Sequence, residues 1–276
     1  MTPIPPLVST EWLAGRLGDP SLRVLDASWY LPTSGRDARR EYLDGHLPGA
    51  VFMDLDAVSD TTSDLPHMLP APDDFARHAG ALGVGDGTTV VVYDGSGTNL
   101  SAPRAWWMFR VFGHDRVAVL DGGMKLWRAE GRPLEGGEVA PEPAHFTPRI
   151  APALVRDMSA VRDAVRSGDA QVVDMRPAGR FEGRDPEPRP GLRSGSIPGS
   201  VNVPFTTLTR ADGTALPPDE LRRHLADAGV RLDHPVIASC GSGTSACSLL
   251  LNLERLGKHD WSLYDGSWAE WGREGV

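Results

Sequence analysis

Short apolar runs alternate with longer amphipathic stretches along this chain. Residues 90–93 read Val-Val-Val-Tyr and stop at Asp94-Gly-Ser-Gly. A β-branched apolar run of that length, closed by a glycine turn, predicts a buried parallel strand. Residues 101–112 then place Ala105, Met108, Phe109 and Phe112 at helical spacing, which predicts a helix. Residues 117–120 predict the next strand, ending at Asp121-Gly-Gly, and residues 124–130 a helix closed by Gly131. The second half repeats this order. Residues 235–239 predict a strand, 246–256 a helix, 261–264 a strand, and 268–271 the start of a last helix. Strands alternating with helices predict an α/β fold with a mainly parallel sheet. Such sheets bind ligands beyond the carboxyl ends of their strands.

The second half also repeats particular residues. Asp26 aligns with Asp174, and His46-Leu-Pro-Gly-Ala-Val with Ser196-Ile-Pro-Gly-Ser-Val. Asp94 aligns with Cys240, and Leu120-Asp-Gly-Gly with Tyr264-Asp-Gly-Ser. The four offsets are 148, 150, 146 and 144 residues. Drift of this size is what small loop insertions produce. A period so long predicts two tandem domains, since solenoid repeats run at roughly 20–50 residues. Residues 139–152 belong to a stretch rich in Pro, Gly and Glu and are expected to link domains at 1–138 and 153–276.

Composition narrows the partners. The chain has 276 residues, 40% hydrophobic and 24% charged, as in globular proteins. A net charge of −9 argues against a nucleic-acid surface. No apolar run approaches the roughly 18 residues that span a bilayer, so no membrane partner is expected. The start, Met1-Thr-Pro-Ile-Pro-Pro, lacks the basic and apolar regions of a signal peptide. A reducing cytoplasm is therefore expected, with both cysteines free. Cys240 and Cys247 cannot form a zinc site by themselves, and their spacing is not a CxxC motif. No metal or organic cofactor is expected.

The repeated loop carries the chemistry. Its second copy reads Ser239-Cys240-Gly241-Ser242-Gly243-Thr244-Ser245, and its first has Asp94 at the cysteine position. At a turn from strand to helix, backbone N–H groups without helical partners and the helix dipole favour an anion, here a thiolate. Gly241 and Gly243 would let the backbone curl around the sulfur, and Ser242, Thr244 and Ser245 add hydroxyls. A buried cysteine beside a glycine turn is the other reading of these residues. Cys247 falls within the helical pattern and is expected in the core. Positions 241–248 hold no arginine, which argues against a cysteine phosphatase. Neither Gly-Ser-Gly turn has the third glycine of a dinucleotide loop.

The whole chain resembles the two-domain rhodanese family of sulfurtransferases. The loop from Cys240 is similar to its 3-mercaptopyruvate branch, whose loop typically reads Cys-Gly-Ser-Gly-Val-Thr. Further matches are Glu41-Tyr-Leu-Asp-Gly-His-Leu-Pro-Gly-Ala, His67-Met-Leu-Pro, Trp106-Trp-Met-Phe-Arg, Leu120-Asp-Gly-Gly, Gly179-Arg-Phe and Tyr264-Asp-Gly-Ser-Trp-Ala-Glu-Trp-Gly. The resemblance implies two tandem rhodanese-like domains, an inactive one at 1–138 and a catalytic one at 153–276. It implies sulfur transfer from 3-mercaptopyruvate through a Cys240 persulfide to a thiol such as thioredoxin or a small thiol, or to cyanide. It also implies that Arg180 and Arg189 hold the substrate, with Gly241, Gly243, Thr244 and Ser245 around it, and that Ser242, His67 and Asp56 form a proton relay. Without the resemblance, the arginines read as solvated or ion-paired and His67 as a loop histidine.

Two readings compete with that one. Thr244-Ser245 departs from Val-Thr and bears on substrate preference. The thiosulfate branch usually carries Arg and Lys directly after the cysteine, whereas Gly241 and Ser242 are neutral and suit a singly charged α-keto acid. A thiosulfate:cyanide sulfurtransferase is the alternative enzyme. A non-catalytic sulfur carrier or interaction module is the alternative of another class.

Overall fold

The computed structural model describes residues 4–273. Ten strands form two five-stranded sheets in which every neighbouring pair is parallel. The first sheet contains β1 (Leu7–Val8), β2 (Leu22–Asp26), β3 (Val51–Phe52), β4 (Thr89–Tyr93) and β5 (Val117–Leu120), in the order β1-β5-β4-β2-β3. The second contains β6 (Val155–Arg156), β7 (Gln171–Asp174), β8 (Val201–Asn202), β9 (Val236–Ser239) and β10 (Trp261–Tyr264), in the order β6-β10-β9-β7-β8. The two orders are the same, as the repeat requires. The central strands β4 and β9 end immediately before Asp94 and Cys240, so both turns lie at the carboxyl edge of a sheet's centre.

The expected elements form close to their expected places. The helix expected at 101–112 spans Ala102–Val111, and that expected at 246–256 spans Cys247–Arg255. One feature differs from the amphipathic pattern. In Ala102–Val111 every residue except Arg110 is buried, including Arg104, Trp106 and Trp107. A helix buried on nearly all sides must be covered by more than its own sheet. Its second cover is Cys247–Arg255, the corresponding helix of the other domain. Trp106 and Trp261 meet across this boundary with ring centroids 5.7 Å apart. One apolar cluster therefore runs through both domains, from Phe75 and Phe109 to Leu250 and Leu263.

Residues 139–151 contain no helix or strand, yet they are held along the first domain. The Ala144 N–H donates to Gly80 O at 2.9 Å, Arg149 N–H to Phe112 O at 2.8 Å, and Ala151 N–H to Val111 O at 2.7 Å. Gly80 permits this approach, since a Cβ there would lie 2.5 Å from Ala144 O. Phe146 inserts among Phe75, Phe109 and His114 and is 4% exposed. No helix among the described residues is long and apolar enough to cross a membrane. Phe146→Ala is expected to destabilise the protein by about 3–5 kcal/mol, because it leaves a cavity in a packed aromatic cluster. Urea denaturation measures the loss, and an unchanged midpoint would show that the connecting segment contributes nothing.

Candidate active site

Cys240 follows β9 directly and is 2% exposed. Residues 241–246 curl from it into the helix Cys247–Arg255. The loop is gripped from outside by its carbonyls. Cys240 O accepts from Trp268 N–H and Gly241 O from Ala269 N–H, each at 2.9 Å. The Cys240 N–H donates to Ser267 Oγ at 3.2 Å. Cys247 is fully buried, burial pushes its thiol well above the ordinary value, and its Sγ–H donates to Gly243 O. The backbone N–H groups of residues 241–246, by contrast, make no hydrogen bond to any described protein group. Six adjacent amides without an acceptor suit an anion at the sulfur.

The first domain shows the same loop with its anion built in. The Asp94 carboxylate accepts from Ser96 N–H at 2.8 Å and from Ser101 and Ala102 N–H at 2.9 Å each. Asp94 thus fills with its own charge the place that Cys240 leaves to a sulfur and its ligand.

The second domain's loop is completed by the first domain. His67 Nδ1 lies 2.9 Å from Ser242 Oγ and 3.1 Å from Thr244 Oγ1, and His67 Nε2 lies 3.0 Å from Asp56 Oδ1. The three residues expected from the resemblance therefore do form a line, across the domain boundary. A carboxylate only accepts, so Nε2 carries the proton toward Asp56 and Nδ1 is left to accept from a hydroxyl. The hydrogen bond from His67 holds the Asp56 carboxyl below the usual carboxylate range, against an opposing effect of burial. Thr244, the departure from Val, puts its hydroxyl on the same imidazole nitrogen as Ser242. Sequence reasoning missed Trp29. Its Nε1–H donates to both Asp56 oxygens, at 3.1 and 3.2 Å, and its ring meets His67 edge-on at 4.6 Å. Nothing in the local pattern near residue 29 marks it, because its partners are 27 and 38 positions away.

Arg180 and Arg189 both reach the loop. A Cβ on Gly241 would lie 3.2 Å from Arg180 Nη2 and 3.7 Å from Arg189 Nη1. The two differ in pairing. Arg180 forms an ion pair with the buried Glu187 at 2.5 Å, and Glu187 also pairs with the buried Arg176, which in turn pairs with Asp174. Those four charges cancel. Arg189 makes no ion pair among the described residues, and its Nη2 lies 3.4 Å from Ser242 Oγ. Burial lowers its pKa, opposed by the nearby Cys240. Sequence reasoning also missed Glu187, which stands two positions before Arg189. Gly241, Ser242, Thr244, Ser245 and both arginines line one pocket with Cys240, closed on its apolar side by Trp29, Leu31, Leu100 and Phe205. Its volume is about 130 Å³, enough for a small acid. Gly243 does not line it. Gly243 has φ of 76° and turns the loop where a Cβ would lie 3.0 Å from Asp265 O.

The chain is similar to known proteins over nearly its whole length. The family model for the rhodanese-like domain matches twice, over residues 9–130 and 157–274. Human 3-mercaptopyruvate sulfurtransferase is 48% identical over 270 residues, covering 96% of this chain and 91% of that protein. Thiosulfate sulfurtransferase of Rattus norvegicus is 47% identical over 274 residues, covering 97% and 92%. The crystal structure of the 3-mercaptopyruvate sulfotransferase SseA from Escherichia coli superposes with a TM-score of 0.88 at 42% identity, covering 97% of this chain and all of that one. With both halves matched and close relatives aligned nearly end to end, the chain belongs to the rhodanese-like domain family as a tandem pair.

Proposed function

We propose that the protein is a sulfurtransferase that takes sulfur from 3-mercaptopyruvate onto Cys240 and passes it to a thiol or to cyanide. The observation that carries the donor is charge. The Asp174, Arg176, Glu187 and Arg180 cluster is neutral, and Arg189 is left in the pocket without an ion-pair partner among the described residues. That matches one carboxylate, held by guanidinium through paired hydrogen bonds. The neutral Gly241 and Ser242 agree with it. Overall identity does not separate the donors, since relatives named for 3-mercaptopyruvate and for thiosulfate stand at 48% and 47%. The latter keep thiosulfate as the second reading.

In the proposed reaction the Cys240 thiolate attacks the sulfur of 3-mercaptopyruvate. A Cys240 S–S bond forms as the substrate C–S bond breaks, and that electron pair moves to the carbon to give pyruvate enolate. The substrate's thiol proton, now on the outer sulfur of the persulfide, passes to the enolate carbon by way of His67 Nδ1 and Ser242 Oγ, while the other His67 nitrogen faces Asp56. The persulfide sits among the amides of residues 241–246. An acceptor thiolate or cyanide then bonds the outer sulfur and returns Cys240 as thiolate, a two-step covalent cycle. Arg180, paired with Glu187, orients the ketone end, and Trp29 keeps Asp56 and His67 aligned. Thioredoxin or a small thiol is the proposed acceptor, and the cytoplasm the proposed compartment.

Two measurements test this reading. Brief exposure to 3-mercaptopyruvate is expected to add one sulfur, about 32 mass units, to the intact protein and nothing to Cys240→Ser. A gain mainly from thiosulfate would replace the donor, and no gain from either would end the enzyme reading. Arg189→Ala is expected to raise KM for 3-mercaptopyruvate about 10–100-fold, the worth of a hydrogen-bonded charge pair. The same KM in variant and wild type would show that the carboxylate binds elsewhere.

A further inference from the structure

Arg104 belongs to the first domain's helix Ala102–Val111 and is 1% exposed. Its guanidinium serves groups on both sides of the domain boundary. Nη1 lies 2.7 Å from Asp265 Oδ1 and 3.5 Å from Gly243 O, and Nη2 donates to the carbonyl of His67. The other Asp265 oxygen accepts from the Leu69 N–H at 2.8 Å, two residues beyond His67. One buried ion pair therefore holds the His67 segment at two points and touches the Cys240 loop at Gly243. His67 needs such a hold. Its φ of 60° is in the left-handed region, which a non-glycine residue keeps only where its surroundings over-determine it.

We propose that Arg104 is a positioning residue, which through the His67 carbonyl and Asp265 keeps the His67 ring on Ser242. Arg104 does not reach the pocket itself, and its effect on turnover runs through His67. The inference rests on the role proposed for His67 above. Neither residue recurs at the matching position of the second domain. The offset between Asp94 and Cys240 takes Arg104 to Leu250, and takes His67 to Gly213. The arginine and the histidine are present together in one half and absent together from the other.

A double-mutant cycle separates positioning from general support of the fold. Steady-state kinetics with 3-mercaptopyruvate would compare wild type, Arg104→Lys, His67→Ala and the double variant. Lysine keeps a charge opposite Asp265 but lacks the fork that reaches the His67 carbonyl as well. Arg104→Lys is expected to lower kcat about ten-fold with KM changed less than about two-fold. In the His67→Ala background the same change is expected to alter kcat less than about two-fold, because its route of action is gone. An equal loss in both backgrounds, or no loss in the wild-type background, would overturn the positioning role and leave the proposed function standing. His67→Ala with wild-type kcat would overturn the relay and the positioning role together. Should Arg104→Lys not fold, Asp265→Asn, which keeps an oxygen for the Leu69 N–H, gives the same cycle and the same two outcomes.

Discussion

The packing of Ala102–Val111 against Cys247–Arg255 is the contact on which the rest of the structure depends. Each helix starts just beyond its domain's central turn, so pairing the helices brings both turns to the boundary. Each turn is then covered by the other domain. His67 lies over residues 242–244, and Gly213 lies over the first turn, where a Cβ would be 3.1 Å from Gly97 O. The aspartates after β5 and β10 act reciprocally. Asp265 accepts from Leu69 N–H and Asp121 from Ala215 N–H, both at 2.8 Å. Leu69 and Ala215 are related by the same offset as Asp94 and Cys240. The boundary is nearly symmetric in backbone and unsymmetric in chemistry.

The asymmetry follows from two substitutions on that common frame. An anion is favoured at both turns by amides that the helix and sheet do not use. In the first domain the Asp94 carboxylate takes that place and closes the turn. In the second, Cys240 contributes a single sulfur, and the amides of residues 241–246 have no acceptor among the described residues. The covering residue differs in the same sense. Gly213 brings only backbone, while His67 brings an imidazole with one nitrogen on Ser242 and the other on Asp56. The first domain thus brings His67, Asp56 and one wall of the pocket to the second domain's loop.

Buried charge around the pocket obeys the rule that a charge removed from water must be paired. Asp174, Arg176, Glu187 and Arg180 form a chain of alternating sign, and Arg104 pairs with Asp265. Arg189 is the exception, and it is also the arginine nearest Ser242. An unpaired guanidinium, half-buried beside a cysteine, is costly unless a ligand carboxylate supplies its counter-charge.

Much of this was legible in order along the chain. The Val-rich run at 90–93, the helical spacing of Ala105, Met108 and Phe109, and the paired Asp94 and Cys240 turns depend on neighbours within a few residues, and local periodicity records such relations. The sequence by itself determined the α/β elements, the duplication and the Cys240 loop. It did not determine that Ala102–Val111 would be buried on nearly all sides, that Trp29 would lie against His67, or that Arg104 would face Asp265. Residue type and spacing left Arg189 and Arg180 equally solvated or ion-paired, and only Glu187, folded under Arg180, separated them. Arg104 and Asp265 are 161 positions apart and meet only once two helices from different domains have packed together. Trp29 and His67 lie on separate loops, and Arg180 and Glu187, seven positions apart, lie in a stretch with no periodic pattern, so local spacing recorded none of these contacts and the tertiary structure alone decided them.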